Sequence, residues 1–141
     1  RESRRRPFTA QIYWSARAVG PAVILDTLVS IQTRQWEAYP GTTVSSSLPG
    51  ATLLPVNECA VALRPQAPLV SYGETVRPGD FAPHHDAAQG ATRWTFQPQF
   101  MERGVIRRLA VRGVVVPRAD DAAAIACWAA DLVAAAPPLT A

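Results

Sequence analysis

Apolar and polar residues alternate without interruption over residues 8–17. Phe8, Ala10, Ile12, Trp14 and Ala16 fall on one side and Thr9, Gln11, Tyr13, Ser15 and Arg17 on the other, the period of a strand with one buried face. Gly20-Pro21 ends the run, and the pattern then changes. At 100° per residue, Ile24, Leu25, Leu28, Val29, Ile31 and Trp36 share an arc of about 160°, opposite Asp26, Thr27, Ser30, Thr33, Arg34 and Glu37. This spacing predicts a helix over 21–37 with Pro21 at its first position, although the β-branched residues of the same segment favour a strand. Ile24, Leu28 and Ile31 would be its buried residues.

Beyond Tyr39-Pro40-Gly41, residues 42–50 are rich in Ser, Thr, Pro and Gly and read as a flexible connection. Residues 58–64 predict a strand with Cys59, Val61 and Leu63 inward. Residues 69–76 predict a short strand between Pro68 and Pro78, at an edge where a missing donor is tolerated. After a long loop over 77–90, residues 92–97 form a strand with Trp94 and Phe96 on its apolar face. The clearest unit closes the chain. Leu109, Val111 and Val115 alternate with Ala110, Arg112 and Val114; Pro117 stops the strand, and Asp120 and Asp121 stand where a helix has unpaired amides. Ile125, Trp128, Ala129 and Leu132 then recur at i, i+3, i+4 and i+7, so a helix is predicted over about 120–136, ended by Pro137-Pro138. Trp14, Trp94 and Trp128 all occupy core-phase positions.

These elements compose an α+β fold. A largely antiparallel sheet of four to five strands is expected, with the 21–37 helix and the C-terminal helix on one face, in a single domain over 8–141. The order also loosely resembles the helix-grip arrangement of START-like domains, where an antiparallel sheet folds around a C-terminal helix; that resemblance carries no motif and implies a small-molecule pocket.

Composition changes this picture in one place. A chain of 141 residues can bury roughly two-thirds of its unfolded surface without a metal or disulfide, and no apolar run reaches the ~18 residues of a membrane span. The fourteen basic residues are all Arg, and four of them, Arg1, Arg4, Arg5 and Arg6, precede the first strand beside Glu2. Residues 1–7 thus read as a mobile basic arm suited to phosphates or to a neighbouring subunit. Cys59 and Cys127 are too few and too distant for a zinc or disulfide scaffold, and read as buried thiols, with one bridge between them as the alternative.

Candidate chemistry is sparse. Both histidines lie in Gly79-Asp-Phe-Ala-Pro-His84-His85-Asp86, so His84, His85 and Asp86 are the candidate metal or acid–base groups. Pro78-Gly79 followed by the His pair resembles the first metal-binding motif of cupins over about ten residues, implying a metal-dependent enzyme. It departs from that motif in having adjacent histidines, no glutamate at the expected distance and no third histidine after Gly113-Val-Val-Val-Pro117. Gly-x-Ser-x-Gly, Gly-x-Gly-x-x-Gly and Gly-x4-Gly-Lys are all absent. A second arginine group surrounds the last strand, where Arg108 and Arg112 share a face that either meets an anionic partner or is simply solvated. The expectation is a non-enzymatic structural or assembly subunit of a virus-like or other multisubunit particle, self-associating or joined to other subunits, with the arm on nucleic acid or a neighbour. No cofactor and no membrane contact are called for. A small-ligand-binding or metal-dependent domain using His84 and His85 is the alternative.

Overall fold

A computed structural model describes residues 8–86 and 89–136. Strands β1 (Phe8–Val19) and β2 (Ala22–Thr33) form a hairpin paired along its whole length, closed by the two-residue turn Gly20-Pro21. Gly20 has φ of +56°, which the first turn position of this hairpin requires and which costs glycine little. After the short β3 (Glu37–Ala38) come β4 (Thr42–Ser47), β5 (Thr52–Asn57), β6 (Ala60–Arg64), β7 (Val70–Val76), β8 (Phe81–Pro83), β9 (Ala91–Phe96), β10 (Met101–Glu102) and β11 (Ile106–Pro117). A 3-10 turn at Arg118–Asp120 leads into the helix α1 (Asp121–Ala134).

The main sheet is antiparallel and six-stranded, in the order β1-β2-β11-β7-β6-β5. Helix α1 lies on one face, against β7, β11, β6 and β5, and buries Ile125 and Ala129 among Ile24, Ala60, Ala62, Val114 and Val116. Gly73 makes this contact possible, because a Cβ there would stand 2.5 Å from the Ile125 side chain. The other face is covered by a second sheet, β4-β9-β8, whose Trp94, Phe96 and Phe81 pack with Val29, Ile31, Val61, Val76, Leu109 and Val111. The molecule is therefore three layers, helix on sheet on sheet, with β3 and β10 pairing separately.

The C-terminal helix stands where its periodicity predicts, but the fold is mostly β and the helix expected over 21–37 does not form. That segment is β2, a strand between β1 and β11. Its helical arc arose because both faces of an interior strand carry apolar residues: Ile24 faces α1, while Val29 and Ile31 face the second sheet. Asp26 supplied the polar side of that arc, and it sits on β2 because Arg112 and Arg17 meet it there. Leu28, on the same face as Ile24, is only half-buried: it lines an open groove beside Leu132 and Ala135 at the end of α1 and lies outside the helix–sheet core.

Other expectations change for the same reason. Residues 42–47 form β4, the 77–90 loop contains β8, and β7 is an interior strand between β11 and β6 with no edge exposed. Trp94 and Phe96 are buried as predicted, whereas Trp14 is 78% exposed. Both thiols are free; Cys59 is buried and Cys127 is exposed on α1.

Candidate functional site

The most exposed strand is one of the three longest. All twelve residues of β1 are exposed, and β1 is the outermost strand, so one of its sides has no strand partner among the described residues. The phase of the ladder fixes which residues face outward. The Thr33 carbonyl accepts from Gly104 N, on the β11 side of β2. Successive residues of an antiparallel strand turn their polar groups to alternate sides, so the odd-numbered residues of β2 bond β11 and the even-numbered ones bond β1. Their partners on β1 are Thr9, Gln11, Tyr13, Ser15, Arg17 and Val19. It follows that Phe8, Ala10, Ile12, Trp14, Ala16 and Ala18 direct their N–H and C=O groups out of the sheet.

The same six residues carry the apolar row, with Ile12 66% and Trp14 78% exposed. The row lies on the face of the second sheet, since Ile12 is opposite Val29 and Ala10 opposite Ile31, but that sheet does not extend over it. Edge strands are commonly guarded by charge, proline, a bulge or brevity. The opposite edge shows three of these devices: β5 has six residues, contains Pro55 and shifts register between Pro55 and Asn57. β1 shows none of them. Its one charged residue, Arg17, is on the helix face, 3.7 Å from Asp26 and 6.0 Å from the centre of the Trp128 ring. Alternation marked β1 as a strand with one buried face; nothing in that pattern separates a row covered by the same chain from one left open.

The residues that composition singled out are dispersed. Arg1, Arg4, Arg5 and Arg6 lie outside the described residues. Arg112 is buried, with its guanidinium donating to Asp26 at 2.6 Å and Asp131 at 2.7 Å, and these carboxylates raise its pKa against the cost of burial. It therefore ties β11 to β2 and α1. Arg108 is half-buried and lines an open groove of about 660 Å³ with Arg77, Arg107, Asp80, Phe100 and Val105. In that groove Arg77 donates to the carbonyls of Ala135 and Ala136 at the end of α1, and Arg107 lies 5.1 Å from the centre of the Phe96 ring. Burial raises the Asp80 carboxyl, opposed by Arg107 and Arg77.

The two histidines diverge. The His85 ring stands edge-on to Trp94 at 4.6 Å and its Nδ1 accepts from Arg93 N at 3.2 Å. Burial lowers its pKa, against the Glu74 carboxylate and with some help from His84, so the ring is held as a neutral acceptor. His84 and Asp86 face a separate recess of about 300 Å³ beside Ser45, Ser46 and Ser47. Among the described residues no group of three His, Cys, Asp or Glu side chains converges.

Two buried carboxylates hold the layers together. Glu74 on β7 accepts from Tyr72, Ser46, Thr92 and Trp94, the last at 3.0 Å, which pins the second sheet to the first. Burial and the adjacent Glu74 push the Tyr72 phenol well up. Asp121 accepts Arg64 through two bonds, at 2.8 and 2.7 Å, together with Ser71 and Ala122 N. Arg64 in particular lowers its pKa to about 2, and the network anchors the start of α1 to β6 and β7. Asp120, the residue before the helix, makes no side-chain cap bond.

Fold and site together define a three-layer β-rich domain with an unguarded edge strand. No family model matches the chain, and no curated protein or solved structure matches it either.

Proposed function

We propose that this chain is a non-enzymatic assembly subunit that joins a neighbour through β1. The observation that supports this reading is the coincidence, on Phe8, Ala10, Ile12, Trp14, Ala16 and Ala18, of outward backbone groups with an exposed apolar row. A strand added there gains ladder bonds and apolar burial from the same residues, the chemistry of β-augmentation. Left uncovered, a long apolar edge is a hazard, which the proline and bulge of β5 avert at the other end of the sheet. The arginines at positions 1, 4, 5 and 6 run directly into this strand, and in the assembly they neutralise a polyanion such as nucleic acid.

The test is mass as a function of concentration. Wild-type chain should shift to larger species between roughly 1 and 100 μM, the range of a modest interface. The double variant Ile12→Lys, Trp14→Lys should stay at monomer mass with an unchanged circular dichroism spectrum, because both side chains are exposed. A wild-type chain that remains monomeric throughout, alone and with the oligonucleotide its arm would bind, is incompatible with the proposal.

A further inference from the structure

We infer that the partner of β1 is the β1 of a second copy, running antiparallel, with Tyr13 on the two-fold axis. This rests on the reading that the chain assembles through that edge. A two-fold axis normal to the sheet places residue i opposite residue n − i of the partner and keeps each side chain on its own face. The register must also map outward-facing residues onto outward-facing residues, so n is even.

One even register pairs the whole outward set with itself. With Tyr13 opposite Tyr13, Phe8 faces Ala18, Ala10 faces Ala16 and Ile12 faces Trp14, so all six residues exchange ladder bonds. Shifting the axis to Trp14 puts Phe8 opposite Gly20 in the hairpin turn. Shifting it to Ile12 puts Ala18 opposite Arg6, ahead of the strand. The central register also pairs large with small at both ends and sets the aromatic Trp14 beside the β-branched Ile12 on each side of the axis, a favourable cross-strand combination. Arg17 faces Thr9, so no like charges meet. The two six-stranded sheets then run on as one, with both copies of α1 on the same face.

Tyr13 turns its own polar groups to β2, so on the axis it forms a non-hydrogen-bonded pair with Cα atoms about 4.5 Å apart. That separation lies within the span a disulfide bridges. In a Cys127→Ser background, which removes the exposed native thiol, Tyr13→Cys should become a covalent dimer under mild oxidation. Ser15→Cys should not, because its copies lie four residues apart along the ladder. Mass in dilute solution, with and without the double lysine variant, is read alongside. If the lysines abolish association but Ser15→Cys links and Tyr13→Cys does not, the register is overturned while edge assembly stands. If the lysines abolish association and neither cysteine links, the two-fold partner is overturned. If the wild-type chain does not associate, this inference and the proposed function fall together.

Discussion

At the residue scale, the stability of this chain depends on carboxylates that the core cannot do without. Asp121 is 2% exposed and its charge is compensated by Arg64 and Ser71. An unfolded carboxyl takes up its proton near the ordinary 3.8, whereas Asp121 in the folded chain resists until about 2. Between those values the unfolded state binds more protons, so the stabilisation is complete above about pH 4 and is lost as pH falls toward 2. Its size is on the order of 2 kcal/mol. Asp121→Asn should lower stability at pH 7 and flatten the acid limb of a denaturation series between pH 4 and 2. An acid limb as steep as that of the wild-type chain would place the sensitivity elsewhere. The sequence offered Asp121 as a helix-start acid, and the helix does begin there, but its partner Arg64 is 57 residues away, a pairing no local pattern reveals.

At the scale of elements, β2 decides the architecture. Its neighbours are β1, brought back by a two-residue turn, and β11, which arrives from the far end of the chain. Ile24 is fully buried against Val114 and Ile125, while Leu28, between Tyr13 and Ala110, stays half-buried in an open groove beside Leu132. Ile24→Ala should accordingly cost about 2 to 5 kcal/mol as a cavity-forming change, and Leu28→Ala clearly less, in equilibrium denaturation of dilute protein. Equal losses would show that Leu28 is covered by something outside the chain. The same comparison explains why the helical reading of 21–37 failed. A strand buried on both faces loses its alternation, and the residual polar positions, Asp26 and Ser30, then fall into a helical arc by spacing alone.

At the scale of the whole molecule, charge and edge lie at one end of the chain, since the arginine arm leads into β1. Four arginines neutralising phosphates should give a slope of log affinity on log salt of roughly −3 to −4. Removing residues 1–6 should abolish most of that slope in oligonucleotide titrations, with folding intact and the β1 contact retained. Equal slopes for the full and shortened chains would assign the arm no nucleic-acid role. Several of the other ten arginines are tied into the fold. Arg112 and Arg64 are held by carboxylates and Arg118 by Ser71 and two backbone carbonyls. Residues 8–141 carry ten Arg against ten Asp and Glu, so the net charge of +3 resides in residues 1–7.

What the sequence determined by itself was local. Strict alternation made β1, β9 and β11 strands, and the apolar stripe of Ile125, Ala129 and Leu132 made α1 a helix with one buried face, because both patterns are properties of a few neighbouring residues. It also set apart the four arginines ahead of the first strand. The tertiary structure decided everything that depends on who lies beside whom. It made 22–33 a strand, because β11 needed a partner there, and made β7 interior although prolines flank it. It separated His84 from His85, and gave Glu74 its four donors from three different strands. Above all it left Phe8, Ile12 and Trp14 in the open. Their alternation only states that one face of β1 prefers to be dry; with β1 at the edge of the sheet, this chain supplies nothing to cover it among the described residues.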